Sequence, residues 1–412
     1  MNYELFLARR FRTTKKDKSS ISSPIIKIAI TAISLGMVMM LVTVATGIGL
    51  KHKIREKLSL FNGHVSIVNY DNNTSETSQF PISKQQDFYP DFNKVSGVTK
   101  VQAYAIKAGL IRTEKDFEGI VLKGVDHEYD WSKLEEYIVE GQLPNIDSIA
   151  RTSEVLISKI ISERLGIQLG DKFDTYFIKD SPNKHPNRRV FRVCGIYNTG
   201  FNDFDKSYIL GDLKHIQKLN KWKSDQIGGF EVFLEDFDQI DALGTAIYNE
   251  IDTTLNSKTI LELYPAIFEW LQLFDKNITI IIGIMILVAG INMITALLVL
   301  ILERTQTIGI LKSMGANNWS IRKVFLYNAS YIIFKGLCIG NLIGIFLLLL
   351  QKYFELVQLD PEIYYVSTAP VDINLWHVLF LNIGTLFLCL LMLLIPSIII
   401  TKITPSKSIK FA

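Results

Sequence analysis

The sequence predicts a membrane α-helical fold: four transmembrane helices, with a large mixed α/β domain between the first and the second. Three observations predict it. Four apolar runs, Ile25–Leu50, Ile278–Leu302, Tyr331–Leu350 and Trp376–Ile400, each reach the roughly 20 residues that a helix needs to cross a bilayer. The chain is 48% hydrophobic with a mean hydropathy of +0.22, too apolar for one soluble domain and too polar for a wholly membrane-embedded protein. The polar segment between the first two runs is long enough for one or two domains with a real core.

Basic residues set the orientation. They crowd the N-terminal tail (Arg9, Arg10, Arg12, Lys15, Lys16, Lys18), the loop after the second run (Arg304, Lys312, Arg322, Lys323) and the C-terminal tail (Lys402, Lys407, Lys410). The loop between the third and fourth runs carries Glu355, Asp360, Glu362 and Asp372 instead. The positive-inside rule then places both termini and the 303–325 loop in the cytoplasm, and four crossings agree with that parity. The expected order is a tail over 1–24, transmembrane helices over 25–50, 278–302, 326–350 and 376–400, external segments over 51–277 and 351–375, a cytoplasmic segment over 303–325 and a tail over 401–412. Lys27 and Lys335 lie inside apolar runs near their ends, where their stems can snorkel. The first run is too long for a signal-peptide core and no A-x-A site follows it, so it is read as a membrane helix.

Within the external segment, strand-like stretches recur at His64–Asn69, Val101–Ile111, Ile120–Gly124, Val155–Ile157, Phe173–Phe177, Val190–Tyr197 and Gly229–Leu234. Ser158–Leu165, Leu213–Asn220 and Ile240–Ile251 read as helices between them. Lys51–Leu58 and Leu261–Asp275 prolong the flanking membrane helices as stalks. Cys338 and Cys389 sit in apolar runs, which leaves Cys194 alone outside, so no intramolecular disulfide staples this domain.

Signatures of catalysis are missing. His127-Glu128 lacks the second histidine of a zinc protease, the six histidines form no ligand cluster, and neither G-x-x-x-x-G-K-[ST] nor G-x-S-x-G occurs. The apolar runs hold no acidic residue of the kind that marks a proton or ion path. The expectation is a non-catalytic protein without metal or cofactor. The net charge of +3 says nothing further about partners, and no nucleic acid is expected among them.

Three features invite a role. Glu303-Arg304 ends the second run, and Ile308, Leu311 and Met314 then recur at helical spacing while Arg304 and Lys312 stay polar; Gly315 can stop this short helix. Such a segment either offers a rigid grip to a cytoplasmic partner or is an ordinary loop with a helical first turn. Gly336, Gly340 and Gly344 form a small-xxx-small ridge that lets another helix approach closely. Met37, Met39 and Met40 supply pliable thioethers suited to varied apolar ligands, or equally to facing lipid.

A set of short motifs runs along the chain: Leu5-Phe6-Leu7-Ala8-Arg9-Arg10-Phe11, Leu50–Lys57 followed by Phe61-Asn62-Gly63-His64, and Gly141-Gln142-Leu143-Pro144 with Leu165–Asp171. Phe191–Phe201 with Phe204-Asp205 and Tyr208, Tyr364-Tyr365-Val366-Ser367 with Pro370-Val371, and Pro396 with Pro405–Ile409 continue the set. In their order and spacing, over nearly its whole length, the chain resembles the permeases of type VII ABC systems, the FtsX/MacB-like group, and within it the lipoprotein-releasing LolC/LolE family. The resemblance implies a MacB-like domain over 51–277 and an FtsX-like permease domain over 278–405.

The resemblance further implies a site and partners. Glu303, Arg304, Ile308, Gly309, Leu311, Lys312, Met314 and Gly315 would form the coupling region seated on a cytoplasmic ATPase dimer, which binds the ATP. A second permease, identical or not, would complete the complex. A lipoprotein would enter from the outer leaflet of the inner membrane, with Met37, Met40 and Val44 as its acyl cradle, and leave to a periplasmic carrier. Lys179–Arg189 occupies the place of the family's hook-like hairpin, so Pro182, Lys184, Pro186, Arg188 and Arg189 would form a rigid carrier-docking loop. Two other readings stand beside this one: a mechanotransmitting permease acting on another external or efflux partner, and a membrane-anchored sensor or scaffold without an ATPase.

Overall fold

A computed structural model describes residues 3–13, 22–72, 77–113, 116–177 and 186–403. The chain divides into two compact units. One comprises Met1–Lys51, Leu271–Gln358 and Thr368–Ala412; the other comprises His52–Trp270 and Leu359–Ser367.

The first unit is helical. Among the described residues four helices are long and apolar enough to cross a membrane, and their runs begin at Pro24, Pro265, Asn318 and Leu375. The first helix extends over Ser22–Asn62 and the second over Pro265–Glu303, each well beyond its apolar run. The third covers Asn318–Phe354. The fourth covers Leu375–Ser397 and breaks after Pro396, whose missing N–H removes a helical bond; a single turn, Ile399–Lys402, follows. The core of this unit gathers Ile33, Met37, Met40 and Leu41 with Met293, Leu297, Ile308, Phe325, Ile333, Leu337 and Leu393. The stretch read as a tail contains a helix of its own, Tyr3–Thr13. Its Ala8 is buried, and Glu4 accepts a hydrogen bond from Ser320 (3.2 Å) and faces Lys323 at 3.9 Å.

The second unit is built on one large mixed sheet. Its strands are β1 (Val65–Asn69), β2 (Ile82–Ser83), β3 (Val98–Arg112), β4 (Phe117–Val125), β5 (Ile138–Gly141) and β6 (Glu154–Ser158). They continue as β7 (Lys172–Phe177), β8 (Asn187–Tyr197), β9 (Tyr208–Asp212), β10 (Gln226–Ile227), β11 (Gly229–Leu234) and β12 (Leu255–Thr259). The order across the sheet is β12-β1-β11-β3-β4-β9-β6-β8-β5, with β7 bridging β3 and β8; β2 and β10 pair separately. The register is set by burial, as where Val65 and Ile67 of β1 meet Val232 and Phe230 of β11. In β7 the period of two is plain: Phe173, Thr175 and Phe177 point inward and their neighbours do not.

Local chemistry fixes the helices between strands. Ser158 caps Lys159–Leu165 by accepting the Ile161 N–H, and Gly166, at φ +63°, closes it in the left-handed conformation. Thr259 and Glu262 form a capping box at the start of Ile260–Leu263, just ahead of the second long helix. Gly141 has φ +80°, and a Cβ there would collide with the Cys194 carbonyl of the neighbouring strand, so only glycine fits this point of the Gly141–Pro144 stretch.

The short segment 359–367 is part of this unit. Tyr365 stacks on Phe201 (centroids 5.0 Å apart) and meets Trp270 edge-on at 5.8 Å. Its carbonyl accepts from Lys57 Nζ at 3.2 Å, and Lys206 pairs with Glu362 at 3.2 Å.

Candidate functional site: the coupling segment and the elements around it

The second helix ends at Glu303, and Arg304, with φ −102° and ψ 17°, breaks the backbone for one residue. Thr305 starts the next helix, Thr305–Ser313, while its hydroxyl bonds back to the Leu302 carbonyl at 2.7 Å. Gly315 adopts φ +89°, and the Ala316 N–H returns to the Leu311 carbonyl at 3.0 Å. Asn317 then caps the third helix by accepting from Trp319 N–H.

The orientation of this segment differs from the sequence reading. Ile308 and Gly309 are buried, and Leu311 packs against the bundle core, so they hold the segment onto its own chain rather than presenting it to a partner. The apolar residues that face outward are Met314, 78% exposed, and Ile310, 47% exposed, one turn apart. Spacing identifies a stripe but not which body covers it, and here the bundle takes most of the stripe. Ile310, not singled out in the sequence reading, shares the outward face with Met314.

Lys312 also departs from the expected free polar face. Its Nζ donates to the carbonyls of Ile400 (2.7 Å), Thr401 (3.3 Å) and Ile403 (2.7 Å) at the end of the fourth helix. A cation suits that place, where terminal carbonyls have no helical partner.

The glycine ridge of the third helix lies against the first helix. A Cβ on Gly336 would come 2.8 Å from Ile33, one on Gly340 2.7 Å from the Met37 Cβ, and one on Gly344 2.9 Å from Leu41. The Ser34 hydroxyl donates to the Gly336 carbonyl across this contact at 2.9 Å. Met37 and Met40 are therefore fully buried in helix packing, and Val44 nearly so. The face of the first helix left open carries Ile28, Leu35 and Met39 instead. Unforeseen in the sequence reading, Asn341 and Asn382 exchange amide hydrogen bonds of 2.7 and 3.0 Å between the third and fourth helices.

In the other unit, the segment expected to form a docking loop is partly a strand. Arg188 and Arg189 belong to β8, opposite Tyr176 and Thr175, because their neighbours complete a hairpin with β7. Arg188 Nε donates to Asp174 at 2.8 Å, and burial draws the Arg189 guanidinium down from its usual range. Pro186 directly precedes the strand; Pro182 and Lys184 lie outside the described residues.

The same unit buries several ionisable groups. Lys123 lies 2.5 Å from Glu231, and its Nζ also donates to the Phe61 carbonyl (3.1 Å) in the last turn of the first helix. Burial pushes both groups toward their neutral forms, and each opposes that shift in the other. Burial likewise lowers Lys57 to about 8 against the pull of Asp205, while Asp205 is raised by burial despite hydrogen bonds from Thr199 and Gly200. Burial lowers His64 and His215 to about 4, and Leu234 N–H donates to His64 Nδ1. Among the described residues no group of three His, Cys, Asp or Glu side chains converges on a metal position.

Comparison with known proteins gives two family matches. Residues 28–249 match the MacB-like periplasmic core domain, and residues 279–405 match the FtsX-like permease C-terminal domain. The lipoprotein-releasing system transmembrane protein LolE of Haemophilus influenzae is 22% identical, covering 99% of both chains. The corresponding LolC of Buchnera aphidicola is 23% identical over 93% of this chain and 92% of its own. LolC of Neisseria meningitidis is 20% identical over 99% of both. A crystal structure of the periplasmic region of MacB from Actinobacillus actinomycetemcomitans aligns at 15% identity with a TM-score of 0.33, over 51% of this chain and 95% of its own. With the MacB-like core over more than half of its 412 residues and the FtsX-like domain behind it, the chain belongs to the LolC/LolE-type ABC permeases of this family.

Proposed function

We propose that this chain is a non-catalytic permease subunit that extracts lipoproteins from the outer leaflet of the inner membrane and passes them to a periplasmic carrier. A separate cytoplasmic ATPase supplies the energy. The observation that carries this reading is end-to-end similarity to LolE and LolC relatives, spanning the transmembrane helices and the core domain together. The chemistry is consistent with it. Each buried CH₂ of an acyl chain is worth about 0.8 kcal/mol, so lifting a lipid anchor out of a bilayer needs both an apolar surface and external work.

In this reading both termini and the 303–316 segment are cytoplasmic, Ile310 and Met314 seat in the ATPase, and a second permease closes the complex. Acyl chains lie along the open face of the first helix, at Ile28, Leu35 and Met39, since Met37 and Met40 are taken up by the third helix. The test is reconstitution of the chain with its ATPase in proteoliposomes carrying a labelled lipoprotein. ATP-dependent release to the carrier is expected; a complex that hydrolyses ATP and releases none would overturn the reading.

One observation favours a second reading. The close contact of the first and third helices would suit a mechanotransmitting permease that acts on another periplasmic or efflux partner. Photo-crosslinkers at Leu35 and Met39 separate the two, because only lipoprotein extraction predicts capture of lipoprotein there.

A further inference from the structure

Lys312 and Arg322 grip the same stretch of the fourth helix from two sides. Lys312, in the coupling segment, holds the carbonyls of Ile400, Thr401 and Ile403. Arg322, in the first turns of the third helix, donates from Nε to the Ser397 hydroxyl at 3.0 Å and from Nη2 to the Leu394 carbonyl at 3.1 Å. Its guanidinium lies 5.1 Å from the Trp319 ring centroid, which restricts it further. The Arg322 grip straddles Pro396, and the Lys312 grip lies on the turn beyond it.

From this we infer that Lys312 and Arg322 are positioning residues that tie the coupling segment and the start of the third helix to the end of the fourth, so that displacement of the segment carries the fourth helix with it. The inference rests on the proposed coupling role of residues 303–316. The segment is held on both sides. Toward the second helix the Thr305 hydroxyl bonds to the Ile301 and Leu302 carbonyls, and backbone bonds from Arg304 N–H to Leu300 and from Ile308 N–H to Arg304 run through the joint. Toward the fourth helix it is held by one ammonium shared among three carbonyls, and charge-assisted bonds of this kind are short and directional. Carbonyls are available there because the last turn, Ile399–Lys402, ends at this point and its terminal carbonyls have no helical partner.

The fourth helix is in turn placed to pass the motion on. Its Asn382 exchanges hydrogen bonds with Asn341, and its Met392 fills the space over Gly290 of the second helix. Displacement at the Pro396 break therefore reaches the middle of the bundle through the fourth helix.

Paired spin labels at Ser313 and Ile399, in the full chain with its three cysteines replaced, test this directly in nanodiscs. The expected result is one narrow distance that stays the same in the permease alone, in the ATP-free complex and in the vanadate-trapped complex. Lys312→Met should broaden it, Lys312→Arg should restore it, and Arg322→Met should broaden it by a second route. In the reconstituted complex, lipoprotein released per ATP hydrolysed should fall about ten-fold in Lys312→Met, the size expected when a coupling of 1–3 kcal/mol is lost. A Lys312→Met distribution identical to the wild type, or a wild-type distance that shifts between states, overturns the tie. A wild-type chain that brings down no ATPase overturns the functional reading instead, and the permease-alone distances still decide the tie.

Discussion

Lys123 and Glu231 face each other at 2.5 Å with neither side chain reached by solvent. They stand on neighbouring parts of one sheet, on β4 and β11, and Phe61, Tyr104 and Tyr129 surround the ammonium with ring faces. The second bond of the ammonium, to the Phe61 carbonyl, and the bond from Tyr129 hydroxyl to the Leu60 carbonyl (3.3 Å) both fall on the last turn of the first long helix. The pair therefore anchors the end of that helix in the core of the sheet domain.

Removing one partner of this pair should be far worse than removing both. Lys123→Met strands a buried carboxylate and is expected to cost about 3–5 kcal/mol, whereas Lys123→Met with Glu231→Leu should recover most of the loss. Thermal unfolding of the full chain in detergent reads this. Equal destabilisation by the single and double variants would show that the pair's charges are not what holds the site.

The outward residues of the coupling segment give a second prediction. Met314→Asp and Ile310→Asp should weaken retention of the ATPase about ten-fold or more while leaving melting unchanged, as for truncation of an interface anchor. Ile308→Asp should instead unfold the helical unit, because that side chain is buried in it. Co-purification and melting, measured together, separate the two outcomes.

A third concerns two glycines that composition cannot tell apart. A methyl on Gly340 would lie 2.7 Å from both the Met37 Cβ and the Ser34 carbonyl oxygen, so Gly340→Ala should cost about 1–3 kcal/mol through overpacking. A methyl on Gly283 meets nothing within 4 Å, and Gly283→Ala should be neutral or stabilising by up to about 1 kcal/mol. Similar melting temperatures for the two variants would remove the distinction.

These cases mark how far the sequence could be read. Length and hydropathy sufficed for the four membrane helices, period-two alternation for β7, and short apolar, β-branched runs for β3, β4 and β11, whose residues are buried consecutively. Strand β12, Leu-Asn-Ser-Lys-Thr, was not recognised because an edge strand needs little apolar surface. Lys123 sits in a legible strand, yet nothing local announces that Glu231, distant in the chain, will meet it. The coupling stripe at Ile308, Leu311 and Met314 had the right period, but periodicity is silent about whether the chain itself or a partner covers each position. Lys312 and the Asn341–Asn382 pair share that difficulty, since polar residues become structural only through contacts far along the chain.

Acid should weaken the sheet domain through His64. Its folded pKa is lowered to about 4 by burial, below the ordinary value of 6.5, so the folded state resists protonation that the unfolded chain accepts. The stabilisation is complete above pH 6.5 and is lost as the pH falls from there toward 4, amounting at most to on the order of 3 kcal/mol. His64→Gln retains an acceptor for the Leu234 N–H but does not titrate. The pH dependence of melting should therefore be shallower in the variant across this window. Raised carboxyl groups such as Asp205 contribute with the opposite sign, but equally in both proteins. Parallel melting curves for variant and wild type would exclude His64 as a source of the effect.

The final prediction refines the docking loop. Because Asn187, Arg188 and Arg189 are rungs of β8 opposite Phe177, Tyr176 and Thr175, a deletion that runs through Asn187 would remove part of a sheet as well as any recognition element. Deleting Ser181–His185 leaves all three rungs in place. If the proposed carrier docks on the hairpin, this shorter deletion should abolish its capture in a pull-down while ATPase retention and melting stay as in the wild type. Arg188→Glu tests the basic contribution separately: it breaks an exposed pair with Asp174, and pairs of that kind are worth about 0–1 kcal/mol, so a marked loss of carrier would come from recognition rather than from folding. Full carrier capture by both variants would assign the hairpin a purely structural role and move carrier recruitment to the partner permease.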